Sequence, residues 1–480
     1  MLFRSKINWG KEILDNALSI LMLVKTANFS YQENNGEVLP GFMPKPVALG
    51  MDWKQMAPGI DFVFGNPSDI WGGGQDIRAI AYREGWMSTD TNLNMPYAVK
   101  ESKTLNLQVT LEPLPALRID VTANSSYTNV NSMYLRGDGL GGFNEYSPMQ
   151  TGSFSMSYLT WGTAFIGDNK DNSNATFEKF KDYRIIIANR LAQANPFSSG
   201  ALDSLGFPDG YGATSQDVLI PAFLAAYAKK DPEKIGLKPF SQKLLSAFPL
   251  PNWKITYTGL TKIKWIKKYF KNFSLSHSYR NTYSVGSYVT SVRFRDEDLD
   301  GYTYVRDVAN NFISEREIGT ISINEQFSPL IGFDMTMVNS LLIKFEIRKT
   351  RNLALSFSNT QLTEVTSDEY VIGAGYRVKN VSFNIKSGGR KKLIKSDLNI
   401  KADFSIRDNK TVLRKLVENL DQVSAGQRVM SISVSADYQI SEKFNIRLFF
   451  DKIINNPFVT SNYRNSNTNA GLSLRFTLAQ

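Results

Sequence analysis

The 480-residue sequence contains no cysteine, a single histidine and no long apolar run. Without thiols, disulfides, zinc–thiolate sites, iron–sulfur clusters and cysteine nucleophiles are excluded. A helix needs about 18–20 apolar residues to cross a bilayer, so a helical membrane protein is excluded too. The early apolar stretch 17–24 follows Glu12 and Asp15 and lacks a small-residue cleavage site, which excludes it as a signal peptide. If the protein is exported, we expect the sequence to continue a longer chain.

Basic residues are in excess, and the formal net charge is +10. Clustered cations would attract a polyanion. The dense basic runs are 390–392 and 262–271, and Trp265, Tyr269 and Phe270 interrupt the second. Such a run is typical of a solvated or interfacial segment. The sequence therefore predicts no nucleic-acid partner.

Short segments of alternating apolar and polar residues dominate the chain, a pattern typical of β-strands with one face in each solvent. The clearest segment is 430–440. Similar segments lie at 105–111, 117–123, 153–158, 253–258, 273–280, 343–348, 353–358, 370–378, 398–406 and 444–450. The predicted strands are about 9–11 residues long, which suits a tilted membrane-crossing strand better than a strand of a soluble sheet.

The polar faces of these strands carry charges at mid-strand, such as Lys401, Asp403 and Arg407 on one strand and Lys344 and Glu346 on another. A barrel with a water-filled lumen accepts these charges inside and presents its apolar face to lipid. A soluble lipocalin-like barrel has the opposite arrangement. Alternation alone does not distinguish the two.

The sequence of the last strand favours a membrane barrel over a soluble one. Asn469, Gly471, Leu474 and Phe476 resemble the C-terminal signal that hands outer-membrane barrels to their insertion machinery, although the final residue, Gln480, is not aromatic. We therefore predict an all-β fold made of the C-terminal strands of a large antiparallel transmembrane β-barrel. The predicted location is the outer membrane, with its lipid as a partner.

The predicted connections agree with this fold near the C-terminus. Ser441 and Glu442 form a tight turn, whereas 408–427 and 454–468 are long, which is the asymmetry of outer-membrane barrels. A short helix is predicted within 410–420. Further upstream, 379–380 is a short connection and 362–368 a moderate one, and the pattern assigns neither to a side.

A partly helical insertion separates two groups of strands. The segment 175–193 has apolar residues at helical spacing, and 218–228 is apolar with Pro221 inside. An insertion of this length is too long for a bare loop and is expected to fold as a cap, plug or internal platform. The predicted parts are barrel strands and loops at 1–160, the insertion at 161–251 and C-terminal barrel strands at 252–480.

Catalytic chemistry has little support. His277 is the only imidazole, and it shares strand parity with Phe273, Leu275 and Tyr279. This pattern indicates a packed or interfacial residue rather than a catalytic base. We predict that the protein is not an enzyme.

One acidic cluster matches the first half of a calcium loop. Asp296, Asp298 and Asp300 alternate before Gly301, and such oxygen ligands wrap a hard cation where glycine permits a sharp turn. Tyr302, through its carbonyl, and Asp307 complete the candidate ligand set. An acidic loop between two strands that binds no calcium explains the same residues.

Several longer stretches resemble one family. The runs SQDVLIPAFLAAYAKKDP (215–232) and LPNWKITYTGL (250–260) resemble the C-terminal region of the SprA/Sov family, the giant outer-membrane translocons of the type IX secretion system. So do 272–288, 322–337, 351–365, 396–416 and 471–480.

The resemblance implies a very large β-barrel in the outer membrane of Bacteroidetes, to which this chain supplies the last strands. It implies export of folded cargo proteins that bear C-terminal sorting domains, and delivery of adhesins for gliding motility. The implied partners are a PorV-type barrel at a lateral opening and a periplasmic plug protein. No catalytic residue is implied. The one candidate cofactor is the calcium ion that the acidic loop suggests.

Three alternatives remain open from the sequence. The first is the C-terminal barrel of a TonB-dependent or porin-type transporter. The second is an outer-membrane enzyme that depends on His277. The third is a secreted β-sandwich adhesin.

Overall fold

The computed structural model describes residues 23–63, 76–90, 93–238, 248–297, 300–387, 390–441, 444–459 and 463–477. Within them, fourteen strands form one antiparallel sheet, which confirms the predicted all-β fold. The strands are β1 (Val24–Val38), β2 (Tyr97–Leu114), β3 (Leu117–Gly137), β4 (Phe143–Ser157), β5 (Asn252–Tyr257), β6 (Phe270–Thr290), β7 (Arg316–Ile318), β8 (Thr320–Met337), β9 (Leu341–Ser356), β10 (Gln361–Ser387), β11 (Arg390–Lys415), β12 (Leu420–Ser441), β13 (Phe444–Pro457) and β14 (Asn465–Phe476).

Neighbouring strands along the main path of the sheet are β1-β2-β3-β4-β6-β8-β9-β10-β11-β12-β13-β14. β4 and β5 run in the same direction between β3 and β6, and β5 resumes the strand position that β4 leaves at Ser157. The insertion thus interrupts a single strand position. In the described residues β1 and β14 do not pair with each other, so the sheet is open.

The helices are short or belong to the insertion. They are α1 (Ile60–Val63), α2 (Ile77–Arg83), α3 (Ala175–Ala194), α4 (Gln216–Tyr227) and α5 (Lys264–Tyr269), with 3-10 turns at Trp161–Thr163 and Gly259–Lys262. No helix in the described part of the chain is both long and apolar enough to cross a bilayer. The helix predicted over 175–193 is confirmed as α3, and the apolar stretch 218–228 lies mostly in α4.

The main core lies between the insertion and one face of the sheet. α4 is buried from Val218 to Tyr227, because its sequence is apolar around the whole helix. Asn174 caps α3 by accepting a hydrogen bond from the Thr176 backbone N–H at 2.9 Å. Both helices pack in one cluster with buried sheet residues such as Ile323 and Leu355.

The strands are longer than predicted, because several expected connections are strand. β10 runs through both 362–368 and 379–380, and a bulge at Asn380, whose φ is +54°, replaces the expected turn. The segment 343–348 and residues 353–356 of the segment 353–358 belong to one strand, β9. The predicted moderate and short connections at these positions are therefore wrong.

The predicted long connection 408–427, with its short helix at 410–420, is also wrong. β11 and β12 stay paired as far as Lys415 and Leu420, and a tight turn joins them. Val412 and Leu416 are four residues apart, a spacing that fits a helix and a strand equally well. The connection from β13 to β14 is shorter than predicted, at 458–464, and residues 442–443 of the predicted tight turn lie outside the described residues.

The connections differ between the two ends of the sheet. Short connections follow β2, β8, β10 and β12 at one end, where the longer segment 258–269 joins β5 to β6 and where β14 finishes at Phe476. The other end carries the tight turns 357–360 and 416–419, and also the insertion and the longer connections 39–96, 138–142, 291–315 and 458–464. We call these the short-turn end and the long-loop end.

Candidate functional site: a two-faced sheet wall

One face of β8 to β14 carries a continuous exposed apolar surface, which we call the apolar band. Its residues lie opposite one another across neighbouring strands. The middle row joins Ile343, Ala374, Ala402, Val434, Phe450 and Ala470. Ile372 and Leu448 are 52% and 56% exposed, although both are large apolar residues. A patch of this extent on a sheet marks contact with an apolar environment or with a partner.

A row of charged and polar residues ends the apolar band toward the long-loop end. The row joins Lys349, Asp368, Asp408, Arg428 and Asn456 across five strands. Lys349 pairs with Asp368 at 2.9 Å, and Arg428 pairs with Asp408 at 2.7 Å. We call this line the boundary row.

The height of the apolar band fits a hydrocarbon layer. On β13 it runs from Ile454 to Phe444, which is about 34 Å along the strand. At the ~40° tilt of barrel strands this gives about 26 Å along the membrane normal, close to the ~25 Å band of transmembrane barrels. Lys452 interrupts the band one row from its edge, where a long side chain can reach the interface.

The opposite face of the same strands is polar, as the sequence predicted. It places Lys401, Ser433 and Asp437 on the side away from the band. At its centre Glu346, 8% exposed, pairs with Lys344 at 3.0 Å and also with Arg348. This face carries charges of both signs and is suited to contact with water.

The insertion covers the same face as the apolar band, beyond the boundary row. The register shift near Thr411 adds a residue to β12 and none to β11, so Val412, Arg414 and Leu416 share the face of Ile400 and Phe404. The first three are buried beneath the insertion, whereas the last two are exposed in the band. The boundary row therefore separates a covered region from an uncovered one.

A buried ion pair connects the insertion to β8 and β9. Arg351 pairs with Glu325 at 2.7 Å, and their side chains are 5% and 1% exposed. Glu325 accepts hydrogen bonds from Thr160 at 2.7 Å and Tyr279 at 2.8 Å. Arg351 donates to the Thr163 carbonyl at 2.8 Å. Through these bonds the pair fixes the start of the insertion on the sheet.

A second buried cation connects the insertion to β10 and β11. Arg414 is fully buried and donates to Glu364 at 2.8 Å and to the Asn172 carbonyl at 2.7 Å. It also pairs with Asp168 and Asp421. These cations hold the insertion to the face of the sheet. Burial acts to raise the pKa of the Asp168 carboxyl, but a hydrogen bond from Lys410 and the positive charge of Arg414 keep this pKa below its usual range.

The candidate calcium residues that the structure describes bond to their own loop. Asp296 accepts from the backbone N–H groups of Asp300 and Gly301, at 3.0 and 2.9 Å. Asp300 accepts from the Tyr302 N–H at 2.8 Å. Asp298 lies outside the described residues.

Asp307 belongs to a separate turn, where it accepts from the N–H groups of Ala309 and Asn311 at 2.8 Å each. No group of three or more His, Asp or Glu side chains is placed to hold a metal ion within the described ranges. The calcium site stays a prediction, because one of its ligands lies outside those ranges.

The four residues of the proposed C-terminal signal divide between the two faces of β14. Asn469 and Gly471 lie on the polar face, opposite Asp451 and Phe449, and the Phe449 ring covers Gly471. Leu474 and Phe476, 59% and 62% exposed, end the apolar band at the short-turn end. Their recognition by an insertion machinery stays a prediction.

His277 and the basic run occupy structural positions. The His277 ring lies 2.6 Å, by Nδ1, from the Leu330 carbonyl and packs near Trp253 and Phe327. The basic run 262–271 lies at the short-turn end between β5 and β6, and Trp265 in it is 65% exposed.

Reasoning from sequence missed the buried ion pairs that hold the insertion. Arg351 and Arg414 stand at apolar positions of their strands, and this break in the pattern is the signal that could have found them. A charge in a covered row needs a partner, yet the pattern does not say which residue supplies it.

No family model matches the chain, and no curated protein is similar to it at a significant level. Among solved structures, it is similar to in-vitro folded OmpT, an outer membrane protein of Vibrio cholerae in its trimer form. The identity is 9% and the TM-score 0.20, over 94% of this chain and 98% of that chain. A likeness this weak supports no functional inference.

Proposed function

We propose that the chain forms the C-terminal wall of an outer-membrane β-barrel that exports folded proteins, as the SprA/Sov translocons of type IX secretion do. The observation that carries the proposal is the exposed apolar band, which ends at a row of ion pairs and is backed by a charged face. Lipid covers the band in this proposal, and water fills the space behind it.

The connections support one orientation. Outer-membrane barrels have short periplasmic turns and long external loops. The short-turn end therefore faces the periplasm, and the long-loop end faces the cell surface. Because the insertion shares the face of the apolar band, it lies outside the wall above the membrane, which favours a cap over a plug or an internal platform.

The open sheet and mixed charges support a wide conduit. Further strands must complete the wall, because open sheet edges are not stable within lipid. A lumen with charges of both signs suits cargo of varied surface better than one small ion. The sequence resemblance suggests proteins with C-terminal sorting domains as the cargo. It suggests a PorV-type barrel and a plug protein as partners. In this proposal the chain itself catalyses no reaction.

A charge placed in the apolar band tests this function. Ala402→Arg sits in the middle row of the band and is expected to cost ~2–4 kcal/mol in lipid. Export of a folded reporter with a C-terminal sorting domain should fall with the amount of chain in the outer membrane. The matched control is Ser405→Arg, on the polar face of the same strand, which should export normally.

Two results would contradict the proposal. If both variants export normally, the band does not face lipid. If Ala402→Arg leaves export intact and instead abolishes uptake of a small nutrient, the chain belongs to a TonB-dependent or porin-type transporter.

A further inference from the structure

The segment 159–166 leaves the sheet at the edge of the apolar band. It follows β4, where the strand position between β3 and β6 is interrupted. Its Ala164 is buried in a small cluster with Tyr279 and Phe327, separate from the main core. Leu159 packs on the same cluster. The insertion therefore begins against the side chains that border the band.

The outer side of this segment is apolar and uncovered. Trp161, Phe165 and Ile166 are 58%, 55% and 37% exposed. The Phe165 ring lies 5.2 Å from that of Phe327, which pairs in register with Lys349 of the boundary row. Phe165 thus continues the band past the row where the ion pairs begin, and with Trp161 and Ile166 the segment presents three large exposed apolar side chains. We call them the ledge.

Cations lie beside the ledge. The Lys349 ammonium is 6.0 Å from the Phe165 ring centre and pairs with Asp368 at 2.9 Å. The Lys229 side chain packs against Gly162, next to Trp161. Aromatic rings flanked by lysines are typical of the level where lipid headgroups meet acyl chains.

The backbone of the segment is held rigidly. Arg351 donates to the Thr163 carbonyl at 2.8 Å, and the Thr160 backbone N–H donates to the Tyr279 hydroxyl at 3.0 Å. A rigid support that leaves large apolar side chains uncovered indicates a surface made for contact, because the same anchoring could have been built with polar side chains outside.

We propose that the ledge rests in the lipid interface of the outer leaflet and anchors the insertion to the membrane surface. The inference builds on the proposed orientation of the apolar band. Lipid is favoured over a protein partner because the ledge adjoins the band directly, one row beyond its last apolar residues. The aromatic rings of Trp161 and Phe165 lie at the level of the lipid headgroups, and Lys229 and Lys349 face the lipid phosphates.

Depth measurement tests the ledge, and the absence of cysteine makes every introduced thiol a unique label. Trp161→Cys and Phe165→Cys are spin-labelled separately in the full chain in outer-membrane vesicles. Collision with oxygen, which enters lipid, is compared with collision with a polar nickel complex. The matched controls are Ile400→Cys in the band and Leu205→Cys, an exposed apolar residue beyond the far end of α3.

The labels at 161 and 165 should show several-fold less nickel collision than the label at 205, and less oxygen collision than the label at 400. If the ledge labels collide with both reagents as the label at 205 does, while the label at 400 is in lipid, the ledge inference is overturned. The proposal that the apolar band faces lipid is then unaffected. If they are shielded from both reagents, a protein covers the ledge and the inference is again overturned. If the label at 400 is itself in water, the apolar band does not face lipid, and the ledge inference is overturned together with the proposed function.

Discussion

At the scale of single residues, Asp217 makes the insertion sensitive to pH. It lies in the first turn of α4, and burial raises the pKa of its carboxyl to about 6, against the effect of a hydrogen bond from Ser314. The folded chain thus binds this proton more tightly than the unfolded chain between about pH 4 and pH 6. The stability of the insertion should fall as the pH rises through that window and stay low above it.

Replacing the carboxyl should remove this dependence. Asp217→Asn is expected to stabilise the insertion at pH 7 by up to about 3 kcal/mol, less ~0.3–1 kcal/mol for the lost charge at a helix N-terminus. It should change little at pH 4. Hydrogen exchange of the α4 amides, corrected for intrinsic rates, measures the effect, with the exposed Asp182→Asn on α3 as control. An unchanged slope between pH 4 and pH 6 in Asp217→Asn would contradict the assignment.

At the scale of elements, a fully buried cation, Arg414, connects β11 to the insertion. Removing Arg414 leaves Glu364 and Asp168 buried without it, which typically costs ~3–5 kcal/mol. Arg414→Met should therefore release the segment around Asn172 to proteolysis. Lys410→Met removes a partner of the same Asp168, at 2.8 Å, but its side chain is 30% exposed and the expected loss is below ~1 kcal/mol.

The rate of cleavage by an added protease in outer-membrane vesicles distinguishes these variants. Arg414→Met should be cleaved much faster than Lys410→Met, and Arg414→Lys should lie between them, because lysine keeps the charge without the planar fork. Equal cleavage of all three would show that the insertion is held by its apolar core alone.

The sequence predicts the faces of these elements better than their ends. Alternation places Ile400 and Lys401 on opposite faces, and the register confirms it. Alternation also continues through Asp408 and Lys410. Charged residues at these positions are typical of a loop, and only their partners on neighbouring strands and in the insertion show that the strand continues. Asn380 resembles a turn because a bulge and a turn demand the same left-handed backbone.

The sequence likewise predicts one part of the candidate site and not the other. The two-faced wall follows from the alternation of apolar and polar residues, which is a local pattern that the sequence shows directly. The boundary row and the cover over Arg414 depend on register and on contacts between distant segments, such as Arg414 with Asp168. No local pattern contains that information, so the placement of the insertion on the apolar face needed the structure.

At the scale of the whole molecule, the open sheet makes the proposed barrel larger than the described strands. The path from β1 to β14 leaves both outer strands with one neighbour in the part of the chain that is described. If further strands complete the wall, these two edges are separated in the membrane. If the chain instead closes on itself, they become neighbours and the lumen is too narrow for a folded cargo.

Disulfide trapping in the cysteine-free chain decides between these arrangements. Phe29→Cys on β1 is combined in turn with cysteine at Ala470, Leu472 and Leu474 on β14, which covers three registers on the apolar face. The positive control combines Ala402→Cys with Val434→Cys, partners on β11 and β12. Paired strands bring Cα atoms to about 4.5–5.5 Å, within the range that a disulfide spans.

The control should cross-link under mild oxidation and the β1–β14 pairs should not. Cross-linking of any β1–β14 pair to the extent of the control would mean a barrel closed by these strands alone, which leaves uptake of a small solute as the function and removes protein export.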